Sequence, residues 1–398
     1  MAPGETPGQD PRMRTYRLIL LFGIVAALGD VVYEGGRSVA GPFLLVLGAS
    51  AFTVSFIAGF GEFVGYAIRI ATGYLADRTR QYWVFVLAGY LLIGAIPLLV
   101  LAGSWEIAAC LLIAERIGKA VRSPAKDAIL SHATTSIGRG WGFGLHEALD
   151  QIGAVAGPLL FVAALAAGGD YRGGFALLAI PFALLVIALV AAWKSMPDPL
   201  AFEAGVRAPR TQDVGVGENR RLRLYAVFTA LTMAGFVVFP LLAFHYKALG
   251  IIPDAEIPLF YAIAMGVDAV AALAIGKAYD RYGIGVLTFV PVTGILIALV
   301  AFTPSYMVAL TGAVLWGISM GMQETVLRAA VADFTAMGER GFAYGIFNTI
   351  YGGAWFAGSI AIGALYTVNP VYAAAFMVLL QAAALPVLLR LAMDRHAP

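Results

Sequence analysis

Charge is scarce in this chain. Of its 398 residues, 61% are hydrophobic and 13% are charged, roughly half the charged share of a soluble domain. Cysteine is nearly missing: Cys110 stands alone inside an apolar run, which rules out a disulfide framework and a thiolate metal site. No Gly-x-x-x-x-Gly-Lys-Ser/Thr stretch occurs, so there is no loop to cradle nucleotide phosphates and no ATP-driven step. No His-Glu-x-x-His occurs either, so there is no helical zinc pair. The net charge of +2 gives no reason to expect nucleic acid. A cleavable leader is not expected either. Arg12 and Arg14 precede an apolar run that is too long for a removed signal and has no small-residue cleavage pattern. That run is expected to stay as the first membrane helix.

What the chain does have is long apolar runs. About 20 consecutive apolar residues are enough for a helix to span a bilayer. Twelve candidate spans lie near 16–46, 50–74, 82–103, 105–128, 141–167, 173–194, 222–247, 257–275, 284–303, 305–329, 341–366 and 370–391. Between the sixth and seventh, residues 195–221 are polar and hold Pro197, Pro199, Gly215, Gly217 and the cluster Arg220, Arg221 and Arg223. That composition makes a loop. The expected organisation is a six-helix half over 1–194, a central loop over 195–221 and a second half over 222–398. The expected fold class is an all-α polytopic membrane protein. Lys and Arg crowd one set of loops, among them Arg14, Arg78, Arg80, Lys126, Arg139, Lys194, Lys277, Arg281, Arg340 and Arg390. The other set offers little beyond Arg172 and Lys247. Positive charge stays inside, so both termini and the central loop are expected in the cytoplasm.

The second half repeats the first. Gly73-Tyr74-Leu75-Ala76-Asp77-Arg78-Thr79-Arg80, a charged turn between two apolar runs, returns as Gly276-Lys277-Ala278-Tyr279-Asp280-Arg281-Tyr282-Gly283. Arg139-Gly140-Trp141-Gly142-Phe143-Gly144 likewise resembles Arg340-Gly341-Phe342-Ala343-Tyr344-Gly345. Such repeats mark transporters whose site lies between two halves near the bilayer midplane.

Twelve spans, a central loop and Gly73, Leu75, Ala76, Asp77 and Arg78 between the second and third spans resemble the major facilitator superfamily. The match departs from the family pattern at Arg80, where a Gly is usual, and at Ala278 in the second copy. The resemblance implies two pseudo-symmetric halves that rock about a central site. It implies a secondary transporter and not an enzyme, with no cofactor, working as a monomer in a bacterial plasma (inner) membrane. In the family fold Asp77 and Asp280 lie against the helix starts of the opposite half, Gly341–Gly345 and Gly140–Gly144. A carboxylate there meets free N–H groups and the positive helix end. Asp77, Arg78, Asp280 and Arg281 are therefore expected to latch the cytoplasmic side. Gly153-x-x-x-Gly157-Pro158 also resembles a pattern of proton-coupled antiporters, although the same spacing serves close helix packing.

Ionisable side chains inside spans are costly and functional by default. Asp30, Tyr33, Glu34 and Arg37 share one face of the first span by their i, i+3, i+4, i+7 spacing. Two carboxylates against one guanidinium leave a candidate proton carrier; the alternative is a structural Glu34–Arg37 pair. Glu62, Tyr66 and Arg69 share a face of the second span. Glu115, Lys119 and Arg122 share a face of the fourth, with Arg116 about a quarter-turn away. Arg116 is the deepest cation and a candidate for contacting substrate or relaying protons. Lys119 and Arg122 are expected to form a cytoplasmic gate with Glu147 and Asp150 of the fifth span. His146, Glu147 and Asp150 keep a membrane-embedded enzyme or sensor open as an alternative. The second half adds Asp268, a Glu324–Arg328 pair at i, i+4, and Asn348. Trp316, Phe347, Trp355 and Phe356 are candidates for a cavity wall or for packing.

These features point to a transporter of a small polar or amphiphilic solute, driven by protons through Asp30, Glu34 or Glu62. Export by antiport is favoured over uptake of an organic anion by symport, for which the cations of the fourth span argue. The expected partners are a small-molecule substrate, protons and lipid.

Overall fold

A computed structural model describes the backbone of residues 11–133, 139–195, 220–333 and 340–393, and the side chains of 20–130, 147–195, 220–331 and 343–393. Most of the central loop, and the side chain of His146, lie outside the described residues.

Six helical spans come before the central loop: Pro11–Val46, Ala51–Thr79, Tyr82–Leu101, Trp105–Ala133, Arg139–Ala166 and Tyr171–Ser195. Six follow it: Arg220–Ala248, Ile257–Tyr282, Gly283–Val300, Tyr306–Asp333, Arg340–Val368 and Pro370–Met393. They are numbered spans 1 to 12. Successive spans reverse direction, so Asp77 and Asp280 lie on one face of the bundle, called here the Asp-Arg face.

The helices run further than hydropathy suggests. The expected turns at Gly73–Arg80 and Gly276–Gly283 are mostly helix, because spans 2 and 8 continue to Thr79 and Tyr282. What stops each helix is a residue with positive φ. Arg80 has φ 56° and its N–H donates to the Ala76 carbonyl at 2.8 Å. Gly283, its repeat partner, has φ 64°. Glycine adopts that conformation without steric cost and other residues rarely do. The departure of Arg80 from the family pattern therefore falls on a backbone position that suits glycine. At the other end of span 2 the Ser50 hydroxyl caps the helix by accepting from the Thr53 N–H at 3.1 Å.

Span 7 is broken, which hydropathy does not reveal. Helix runs over Arg220–Ala234 and resumes at Phe239–Ala248. Pro240 lacks the N–H that would return to the Phe236 carbonyl, and the Leu241 N–H goes to Val238 instead, at 3.1 Å. Two carbonyls are thereby left free in the protein interior. Trp355 Nε1 donates to the Phe236 carbonyl at 3.1 Å and Trp316 Nε1 to the Val237 carbonyl at 2.9 Å. Both indoles are fully buried. These two tryptophans therefore pack and hold the break, and neither lines any of the described cavities.

Each half contacts the other through spans 2 and 11, spans 5 and 8, and spans 1 and 7. Phe56, Phe60 and Phe63 of span 2 surround the Phe356 ring, with centroids 5.4–5.9 Å away. On the face opposite Asp-Arg the bundle is closed. A side chain at Gly41 would overlap the Pro240 carbonyl of span 7. Arg172 donates to the Val100 and Ala102 carbonyls, each at 2.7 Å, and ties span 6 to the end of span 3. Lys247 pairs with Asp254 at 2.5 Å and sits 5.2 Å from the Tyr171 ring of the other half. Toward the Asp-Arg face, spans 4 and 10 are not among the closely packed pairs of described residues, and a cavity lies between the halves.

Within the first half, Gly153 and Gly157 let span 5 touch span 1. A side chain at either would run into the carbonyl of Ala27 or Val31. The Gly-x-x-x-Gly-Pro stretch thus acts here in packing.

Candidate functional site

The charged face of span 1 meets spans 2 and 4 in one buried network. Arg37 donates to Glu62 Oε1 at 2.7 Å and lies 3.9 Å from Glu34. Arg116 approaches the same Glu62 oxygen at 3.6 Å and Glu115 at 3.4 Å. Glu115 is shared with Arg122 at 3.9 Å. Lys119 donates to the Tyr33 hydroxyl at 2.9 Å. The Tyr33 ring sits among Lys119, Arg116 and Arg122, at 4.6, 5.7 and 5.9 Å. Isolated charges at this depth would not stay ionised, and pairing offsets the cost of removing them from water.

The expected gate is arranged differently. Among the described ion pairs, none joins Lys119 or Arg122 to Glu147 or Asp150. Lys119 donates to Tyr33 of span 1, and Arg122 lies 3.9 Å from Glu115, two turns earlier on span 4 itself. The Glu324–Arg328 pair is likewise not among the described ion pairs; both residues line the central cavity. Asn348 is half-buried and lines neither of the cavities described here. Asp77 and Asp280 are exposed. Asp77 accepts from Tyr82 of its own half at 3.1 Å, a partner different from the opposite-half helix start.

At the heart of the site a hydrogen bond crosses from half to half. The Tyr261 hydroxyl of span 8 donates to Glu34 of span 1. Above this level lies a polar cavity of about 200 Å³ that reaches toward the Asp-Arg face. Its first-half wall includes Asp30, Glu34, Arg37, Arg69, Lys119, Lys126, Asp127, Glu147 and Asp150, and its second-half wall includes Asp268, Glu324 and Arg328. Carboxylates outnumber cations around it. On the far side of Arg37 and Glu62 is a smaller space of about 40 Å³, walled by Ala40, Leu44, Ile57, Ile96 and Leu112. The Arg37–Glu62–Arg116 cluster thus separates two compartments.

Sequence reading missed Tyr261, which sits in an apolar stretch. A signal was present: Tyr261 and Asp268 are i, i+7 and share a helix face. Asp127 was missed as well, since its depth depends on how far span 4 continues beyond hydropathy. Among the described residues no group of His, Cys, Asp and Glu is placed to hold a metal ion.

The Major Facilitator Superfamily family model matches residues 26–359. The chain belongs to the Major Facilitator Superfamily. Its membership, with the spans above, makes it an integral membrane secondary transporter and not an enzyme. Uncharacterized proteins of Mycobacterium tuberculosis and Mycobacterium bovis are each 40% identical over 396 residues, covering 98% of this chain and 96% of theirs. An uncharacterized MFS-type transporter of Methanocaldococcus jannaschii is 23% identical over 369 residues, 88% of this chain and 89% of its own. Among solved structures, a mutant of the nucleoside transporter NupG has a TM-score of 0.75 at 15% identity, over 96% of this chain and all of that one. A bacterial homolog of the human lysosomal transporter Spinster, inward-facing and occupied, has a TM-score of 0.70 at 15% identity, over 97% and 96% of the two chains. These structural likenesses establish the superfamily fold.

Proposed function

We propose that this transporter moves a small polar or amphiphilic organic solute in exchange for protons, exporting it across a bacterial plasma membrane. The observation that carries this reading is the central cavity, whose carboxylates outnumber its cations and come from both halves. Carboxylates not neutralised by fixed cations are the groups that can pick up and release protons on each cycle. The Lys and Arg bias of the loops supports a cytoplasmic Asp-Arg face and cytoplasmic termini, and the mycobacterial relatives support a bacterial membrane. On this reading the cavity faces the cytoplasm and the opposite face is sealed. The chain works as a monomer of two halves, 1–194 and 222–398, joined by the loop 195–221.

Reconstitution into proteoliposomes tests the coupling. An imposed pH gradient should drive solute movement against the proton flow, and dissipating the gradient should stop it. Solute movement indifferent to the gradient would sink the proposal. A second reading, uptake of an organic anion with protons, is favoured by Arg116, Lys119 and Arg122 gathered around Tyr33. Accumulation of an anion under an inward proton gradient would decide for it.

Asp77 and Asp280 act in this scheme as latches that engage when the cytoplasmic face closes. Asp77→Asn should lower transport while binding in detergent survives. Equal loss of both would count against the latch.

A further inference from the structure

The charges of the central cavity are not equally available. The mid-depth cations of the first half are already engaged: Arg37 and Arg116 share Glu62, Arg122 approaches Glu115, and Lys119 donates to Tyr33. An anion arriving at Arg37 or Arg116 would have to displace the buried Glu62 carboxylate from its guanidinium. Asp268 is in the opposite condition. Its residue is 4% exposed, it lines the cavity, and no hydrogen bond or ion pair is described for it. The Gly321 backbone of span 10 packs against it. Its charged neighbours are Glu324 from span 10, Glu147 from span 5, and Glu34 with Arg37 from span 1. The one cation among these, Arg37, already serves Glu62 at 2.7 Å. Arg69, Lys126 and Arg328 also line the cavity but lie nearer the Asp-Arg face, where Arg69 sits 4.8 Å from the Tyr66 ring with its Nε without a described hydrogen-bond partner. The free charge at mid-depth is therefore negative, and it includes a carboxylate presented by the second half.

We infer that the transported solute is an organic cation, an amine, bound through Asp268 and exchanged there for a proton. This rests on the proton-coupled reading above and names its substrate class. A buried carboxylate without a fixed counter-ion takes either a proton or a bound cation. In the exchange the carboxylic acid O–H of Asp268 breaks, the proton leaves to water, and the ammonium group pairs with the carboxylate. The volume of about 200 Å³ suits a small organic ion, whereas a metal ion would find no grouped ligands among the described residues. Because Asp268 belongs to the second half and the paired network to the first, a cation at Asp268 acts on the interface between them. The Tyr261–Glu34 bond lies at that interface.

The test is calorimetric binding to the purified full chain in detergent, with probes matched in body and differing in charge. These are butylamine, butyrate and butyramide, and 2-phenylethylamine, 3-phenylpropionate and 3-phenylpropionamide. The amines should bind in preference to both other classes and release about one proton each when titrated in weak buffer. Their affinity should fall as pH is lowered, because protons then occupy the same carboxylate. Asp268→Asn should weaken amine binding by roughly tenfold or more and abolish proton release, with Asp268→Glu restoring part of both. Carboxylates binding as tightly as amines, amines failing to bind at millimolar concentration, or Asp268→Asn binding amines unchanged would each overturn the inference. Should Asp268→Asn not fold, the charge-matched series and proton release on the native chain still decide. Sodium or potassium chloride matching the effect of the amines would reassign the site to an inorganic ion and also overturn it. Carboxylate binding with proton uptake would leave proton coupling standing and remove only the substrate class. Amine binding without proton release would do the reverse.

Discussion

In the first half, most buried charge comes in partnered sets: Arg37, Glu62, Arg116, Glu115 and Arg122 lie within 2.7–3.9 Å of one another in a chain of pairs, and Asp30 stands apart on the cavity wall without a described partner. In the second half, the buried polar work at the same depth is done by backbone carbonyls, two indoles and one carboxylate with no described partner. Trp316 and Trp355 satisfy the broken span 7, and Asp268 faces the cavity. The halves thus share a ground plan and divide the labour. One holds a rigid electrostatic frame, and the other holds a break and a free charge. A charge that is already paired supports structure, and a charge that is not is available to a ligand.

The sharpest way to break this comparison is at Glu62. Glu62→Gln leaves Arg37 and Arg116 without their shared carboxylate, and removing one partner of a buried pair costs about 3–5 kcal/mol. The thermal unfolding midpoint in detergent should drop markedly. Asp268→Asn should barely move it, since no described partner is lost. Equal shifts for the two variants would erase the distinction between frame and free charge.

Next in size are the indoles. Trp316→Phe or Trp355→Phe keeps a ring but leaves a carbonyl of span 7 unsatisfied, at a cost of about 1–3 kcal/mol. Denaturation monitored on the purified chain would read this out. A neutral result at both positions would mean that water or a backbone shift replaces the indole bond. Gly41→Val probes the closed face. It should overlap Pro240 of span 7 and bias the transporter away from the state described here, read as greater labelling of a cysteine placed at Ala40. Unchanged labelling would show that spans 1 and 7 tolerate separation there.

The smallest expected effect compares the two repeat copies directly. Arg80→Gly should stabilise by about 0.5–1 kcal/mol by relieving a left-handed backbone. Gly283→Arg should lose at least as much, since φ 64° with ψ −145° is a conformation that suits little but glycine. If both changes are neutral, the caps of spans 2 and 8 bear no strain that matters.

Much of the fold was legible without coordinates. Twelve apolar runs, the echo of Gly73–Arg80 at Gly276–Gly283 and the Lys and Arg bias of the loops state the architecture. They do so because a bilayer permits few alternatives to helices of that length. Within span 1, the spacing of Asp30, Tyr33, Glu34 and Arg37 put them on one face before any partner was known. Hydropathy failed where charge interrupts it, so spans 2, 4 and 8 ran past their expected ends. It also failed at span 7, where Pro240 removes a single N–H and leaves the apolar composition untouched.

The sequence by itself determined the helices, the duplication and which side chains would be trapped in the membrane. Periodicity and composition act along one chain, and these properties are local. The tertiary structure alone decided which trapped charges are neutralised. It joined Arg37 to Glu62 across 25 positions and Tyr261 to Glu34 across 227, gave the Phe236 and Val237 carbonyls to two tryptophans, and left Asp268 facing open space. Pairing energies depend on distance in space, and only packing of the two halves sets those distances.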